Sequence, residues 1–175
     1  MLDRMVRGTE RLTRWFAIIG GIIILIQMSW ISYGVFTRYV LGDPDAYVTE
    51  ATALLLFPVA FLGLAYALSV NAYPTVSYVV DTLQGKAKRA LVAFNLLIMV
   101  LIGAFFSYAG IDATIKAYSS GAASEILLWP RFYFWLPGAI ALVLFTWYAM
   151  LRLAQVCLDR KDLAAGSEIE PGQAK

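Results

Sequence analysis

Few side chains in this 175-residue sequence can bind, titrate or coordinate anything. There is no histidine, which excludes bis-histidine haem anchoring, histidine–zinc sites and His-dependent catalytic triads. The one cysteine, Cys157, can form neither an internal disulfide nor a Cys-x-x-Cys pair, and beside a long apolar run it reads as a free thiol. Charged residues make up only 15% of the chain and gather at the borders of four uncharged runs, Trp15–Thr37, Ala51–Val80, Ala90–Ile111 and Phe132–Leu151. Among the polar residues inside those runs are Gln27, Ser29, Ser32, Thr52, Ser69, Asn95, Ser107 and Thr146, a kind that most often hydrogen-bonds neighbouring helices. An autonomous carrier usually retains an ionisable residue at depth, because charge there is costly and is kept where it binds an ion, proton or solute. No Asp, Glu, Lys or Arg lies within any of the four runs, no metal-ligating cluster is visible, and no cofactor motif or catalytic constellation appears.

The elements that would hold these residues follow from length. About 20 apolar residues carry a helix across a bilayer, so the four runs predict an all-α membrane protein with four transmembrane helices. Composition agrees, with 61% hydrophobic residues against the roughly 45–50% of a soluble domain. The N-terminal arginines and long first run resemble a signal peptide, but the run is too long and lacks a small-residue cleavage site, so it reads as a retained span. Of the 14 Lys and Arg, 11 fall before the first span, between the second and third, or after the fourth, against 3 in the other two loops. The positive-inside rule then puts both termini in the cytoplasm. A net charge of +2 without a basic block gives no reason to expect nucleic acid as a partner.

The second run exceeds one crossing, and Asn71–Pro74 supplies a stop, so its span should end near Val70. After the proline, Val76, Val79, Val80 and Leu83 recur at i, i+3, i+4 and i+7, predicting a short interfacial helix on the cytoplasmic surface. Asp112 and Lys116, spaced i, i+4, carry the third helix past the bilayer before Ser119-Ser120-Gly121 breaks it. Pro130 suits a first helical turn of the fourth span, and Pro58 and Pro137 should kink their helices. Trp15, Trp129, Tyr133 and Trp135 fit the aromatic belts at headgroup level. The predicted organisation is a cytoplasmic segment 1–14, a four-helix membrane domain 15–155 and a largely disordered cytoplasmic tail 156–175.

Two kinds of residue are candidates for partner or helix contact. Gly63 with Ala67, and Gly103 with Ser107, put two small side chains on one helix face, where backbones approach closely within this bundle or against another subunit. Arg38, beside Tyr39, and Glu50 close one span and open the next. They are either solvated ends or an ordered outer rim that holds the first loop or meets a partner.

Over about residues 15–155 the sequence resembles the small membrane subunit of TRAP (tripartite ATP-independent periplasmic) transporters, the DctQ-type small permease. The resemblance rests on Arg38-Tyr39, Tyr47-x-x-Glu50, Phe61-Leu62-Gly63-x-Ala65, the break at Asn71–Pro74 with Val76 to Asp81 following, and Trp129-Pro130. The sequence departs from the family pattern at Tyr47, usually Trp, at Thr49, usually acidic, and near Tyr73, where His is usual. The resemblance implies a scaffold subunit in a bacterial or archaeal inner membrane. Its implied partners are lipid, a large TRAP membrane subunit carrying the substrate and sodium sites, and a periplasmic binding protein that captures an organic acid, C4-dicarboxylate-like or related. It implies neither an enzyme nor a cofactor. The competing readings are a self-contained four-helix exporter, which would need a carboxylate where the first span offers only Gln27, and a four-helix membrane enzyme, which would need clustered basic or thiol chemistry.

Overall fold

The computed structural model describes residues 2–42, 46–72 and 86–158. Helix α1 spans Leu2–Phe36 and passes into a π-helical turn, Thr37–Leu41, which ends at Gly42 in the left-handed conformation (φ 71°). Helix α2 is Ala46–Leu62 and α3 is Leu64–Ser69; α4 is Lys86–Ser119 and α5 is Phe132–Leu158. With α2 and α3 counted as one rod, four helices among the described residues are long and apolar enough to cross a membrane.

The helical segment before Trp15 is continuous with the first span, and its Val6, Thr9 and Thr13 are buried. The second span ends at the expected place, with Asn71 in the left-handed region (φ 52°) just after α3. Pro58 sits inside α2 without ending it; the helical run is interrupted instead at Gly63, a residue of low helix propensity. Pro137 is likewise carried inside α5. Gly121 (φ 60°) follows the end of α4, and the Lys116–Asp112 pair (2.6 Å) closes on the last turns of that helix. Pro130 does not occupy the first turn of α5. The Arg131 N–H donates to the Ala122 carbonyl (2.9 Å), so Pro130 forms an isolated antiparallel bridge with Ala123 and the helix begins at Phe132. Residues 73–85, with the expected interfacial helix, lie outside the described residues, as do 159–175.

The helices run up and down, so the described chain starts and finishes at one end of the assembly, here the terminal rim. The opposite end, carrying Glu50 and the α4–α5 connection, is the loop rim. Helix α5 stands centrally: α4 packs along it in antiparallel fashion, and α1, α2 and α3 pack on it from elsewhere. Among the described residues α4 approaches no other helix closely. The array is therefore open, and its core gathers Val6, Ala65, Leu68, Leu96, Phe145, Tyr148, Ala149 and Leu151 near the terminal rim. Of the residues in the most apolar stretch of α1 only 6% are buried, against 44% in that of α5, so α1 leaves most of its apolar side chains for a membrane or a second protein.

Candidate functional site

Small residues set how closely the helices meet. Along α1, Gly20, Gln27 and Gly34 recur every seven residues and face α2. A Cβ at Gly34 would lie 2.7 Å from Val48 Cγ1 and one at Gly20 would lie 3.1 Å from Leu62 Cβ. Between them the Gln27 amide donates to the Thr52 carbonyl at 3.2 Å. Along α4, Gly103, Ser107, Gly110 and Thr114 form one buried stripe against α5. A Cβ at Gly103 would fall 2.6 Å from Thr146 Oγ1. The Thr146 hydroxyl donates to the Leu142 carbonyl (3.0 Å), which leaves Ser107 as donor to Thr146 across 3.0 Å. A Cβ at Gly138 would strike the Phe57 ring, itself packed against Trp135 at 4.3 Å.

Gly63 behaves differently. Nothing else in the described chain lies within 4 Å of a Cβ built there, and Ala67 is half-buried. The two small-residue pairs are thus not equivalent: Gly103 and Ser107 are consumed by the α4–α5 contact, whereas Gly63 is open.

The charged span ends bind backbone. Glu50 Oε1 accepts the N–H of Glu125 (2.6 Å) and Ile126 (3.1 Å), and Oε2 accepts those of Ile126 (3.0 Å) and Leu127 (2.6 Å). One carboxylate thereby satisfies three consecutive donors of a tight loop, with no side-chain donor required. Among the described residues no ion pair joins Glu50 to Arg38. The Glu50 oxygens accept from the α4–α5 connection, and the Arg38 guanidinium lies 5.8 Å from the ring of Tyr39. Among the described residues the one ion pair is Lys116–Asp112.

At the terminal rim the polarity is reversed. Arg89 donates from Nε to the Val156 carbonyl (2.8 Å) and from its terminal nitrogen to that of Cys157. A cation there meets acceptors that the helix end leaves unsatisfied, and the negative end of its dipole. Tyr148, fully buried, donates to Glu10 Oε1 at 3.0 Å, and Thr13 beneath it donates to the Glu10 carbonyl (2.9 Å). Arg89, Glu10 and Tyr148 escaped the sequence reading because their partners lie 67 and 138 residues away. The seven-residue spacing of Gly20, Gln27 and Gly34 was a usable local signal.

Of the aromatic anchors, Trp15 and Tyr133 are mostly exposed, Trp129 is stacked on Phe134 (6.0 Å, 9°), and Trp135 is partly withdrawn against Phe57. Tyr39 and Tyr47 are exposed. Val76, Val79, Val80, Leu83 and Tyr73 fall outside the described residues. Among the described residues no group of His, Cys, Asp or Glu is arranged to hold a metal ion.

Residues 27–158, more than half of the chain, match the family model described as "Tripartite ATP-independent periplasmic transporters, DctQ component". No curated protein and no solved structure matches the chain.

Proposed function

Because the chain belongs to the DctQ family of TRAP transporter small components, we propose that it is the scaffold subunit of a sodium-coupled, binding-protein-dependent transporter for an organic acid. In this reading a periplasmic protein delivers the acid. A large membrane subunit carries the substrate and sodium sites and moves them, and this chain holds that subunit in place from the inner membrane with both termini cytoplasmic.

The observation that carries the reading is where the ionisable groups are. An unpaired charge in hydrocarbon costs at least several kcal/mol, so an organic anion needs basic groups, helix N-termini or an accompanying cation along its path. The apolar centres of α1, α2, α4 and α5 hold none of Asp, Glu, Lys or Arg. The charged groups Glu10, Glu50, Arg89, Asp112 and Lys116 stand toward the rims and spend their bonds on this chain's own backbone and side chains. A partner must supply the transport chemistry. The open array suits docking, since α1 and the outer side of α4 retain large exposed apolar residues such as Ile22, Leu25, Leu101 and Phe105.

The test is uptake into vesicles holding the large subunit and binding protein, with and without this chain, alongside vesicles holding this chain alone. Uptake should require the large subunit in every case and weaken without this one. Uptake by this chain alone defeats the reading.

A further inference from the structure

The α4–α5 connection at the loop rim has a built shape that the packing of this chain does not use. It is closed at its base by the Arg131 N–H to the Ala122 carbonyl (2.9 Å) and by the Ser124 N–H to the Trp129 carbonyl (2.9 Å). The Trp129 N–H donates to Ser124 Oγ (3.1 Å), and the Ser124 side chain is buried. The Glu50 carboxylate gathers the N–H groups of Glu125, Ile126 and Leu127 from α2, a separate helix. A frame this fully bonded leaves little freedom to the residues it carries.

Those residues are apolar and face outward. Leu128 holds φ at +52°, a left-handed conformation that a branched side chain adopts at a cost, yet it is 72% exposed. Ile126 and Trp129 are each nearly half exposed. An ordered loop that strains its backbone to display a leucine is compensated by whatever takes up that leucine.

We propose that residues 122–131 form a membrane-surface wedge, in which Ile126, Leu128 and Trp129 seat at the boundary between headgroups and acyl chains of one leaflet, with Glu50 as the residue that positions them. Three features select lipid as the occupant. The loop runs directly into Phe132, the first residue of a spanning helix, so it lies at the depth of that helix's end. The Trp129 ring is stacked on Phe134 in the first turn of α5, in the place of an interfacial anchor. Arg131, exposed beside the apolar group, is placed to meet lipid phosphate. The inference is independent of the transport reading, since it requires no partner protein.

The experiment uses nitroxide labels on the full chain with Cys157→Ser, reconstituted alone in phosphatidylethanolamine–phosphatidylglycerol vesicles. Labels go at Ile126→Cys or Leu128→Cys, with Ser120→Cys as the water reference and Ile140→Cys as the lipid reference. The ratio of oxygen to nickel-chelate accessibility at Ile126 and Leu128 should exceed that at Ser120 several-fold and fall short of that at Ile140. Glu50→Gln should lower the Leu128 ratio toward the Ser120 value while the Ile140 label is unmoved. Should that variant fail to fold, Leu128→Asn, which relieves the backbone and removes the apolar group, should produce the same drop at an Ile126 label. A Leu128 ratio equal to that of Ser120 overturns the proposal. So does lipid preference that survives both variants, or protection that arises only when the large subunit or binding protein is added, because the surface then belongs to a protein.

Discussion

Arg89, in the first turn of α4, lies against the last turn of α5, its Nε 2.8 Å from the Val156 carbonyl. The two antiparallel helices are thus joined at the terminal rim by a side chain that caps one helix from the other. A charge-assisted bond to an exposed helix end contributes about 1 kcal/mol. Arg89→Ala should therefore speed amide exchange in the last turn of α5 by roughly fivefold, with Phe145–Leu151 unaffected. Arg89→Lys should recover only part of the protection, because an ammonium lacks the fork that spans two carbonyls. Equal exchange in all three proteins would show the contact to be idle.

Glu10 and Tyr148 give a second, independent link, between α1 and α5. Tyr148→Phe keeps the buried ring and deletes the donor, which should destabilise the subunit by about 1 kcal/mol. Thermal unfolding in detergent of Tyr148→Phe, Glu10→Ala and the double variant forms a cycle. The double variant should be less destabilised than the sum of the two single ones, since each removes the same bond. Strict additivity would mean that the hydroxyl and carboxylate do not interact.

What the sequence disclosed, and what it withheld, divides by range. Span number, the end of the second span, the Lys116–Asp112 pair and the stop at Gly121 depend on composition and local spacing, and all are seen. Arg38 and Glu50 were readable as charges at facing span ends, but the acceptor capacity of Glu50 is filled by a loop 75 residues on, which no local pattern announces. The Gly63 and Gly103 motifs look alike in sequence and differ in the fold, because only the α4 stripe faces a neighbouring helix of this chain. Pro130 is compatible with a helix start, yet pairing of Arg131 with Ala122 within the same connection holds it outside α5.

The glycine contrast is directly testable. At Gly34 an added Cβ would sit 2.7 Å from Val48 Cγ1, and overpacking of this kind costs typically about 1–3 kcal/mol. Gly34→Ala and Gly103→Ala should both lower the unfolding temperature of the isolated subunit. Gly63→Leu, with open space around it, should leave that temperature unchanged and act only on co-purification with a large subunit. A destabilised isolated Gly63→Leu protein would contradict the observed environment.

Charge exchange at the loop rim should not be reciprocal. Glu50 serves backbone N–H groups and Arg38 lies over Tyr39, so the double variant Arg38→Glu with Glu50→Arg has no pair to restore. Hydrogen exchange of the Glu125, Ile126 and Leu127 amides should accelerate in Glu50→Arg, stay slow in Arg38→Glu, and remain fast in the double variant. Recovery of slow exchange in the double variant would re-establish the ion pair.

The last prediction separates support from transport. Gln27 and Ser107 both spend their polar groups inside this chain, Gln27 on the Thr52 carbonyl and Ser107 on the Thr146 hydroxyl. Gln27→Leu and Ser107→Ala each delete one such bond, and Ser107→Ala leaves the Thr146 oxygen without its donor. A neutral interhelical bond in a membrane is worth roughly 0.6 kcal/mol on average, so each variant should lower subunit stability slightly. Asn95 is exposed on α4, and Asn95→Ala should not alter stability at all. If the solute passes through a partner, none of the three should change the substrate concentration or sodium concentration that gives half-maximal uptake in vesicles containing the large subunit and binding protein. Maximal uptake alone should fall, in proportion to the amount of assembled complex. A changed substrate preference or sodium requirement in any one of them would place that side chain on the transport path and remove the scaffold reading.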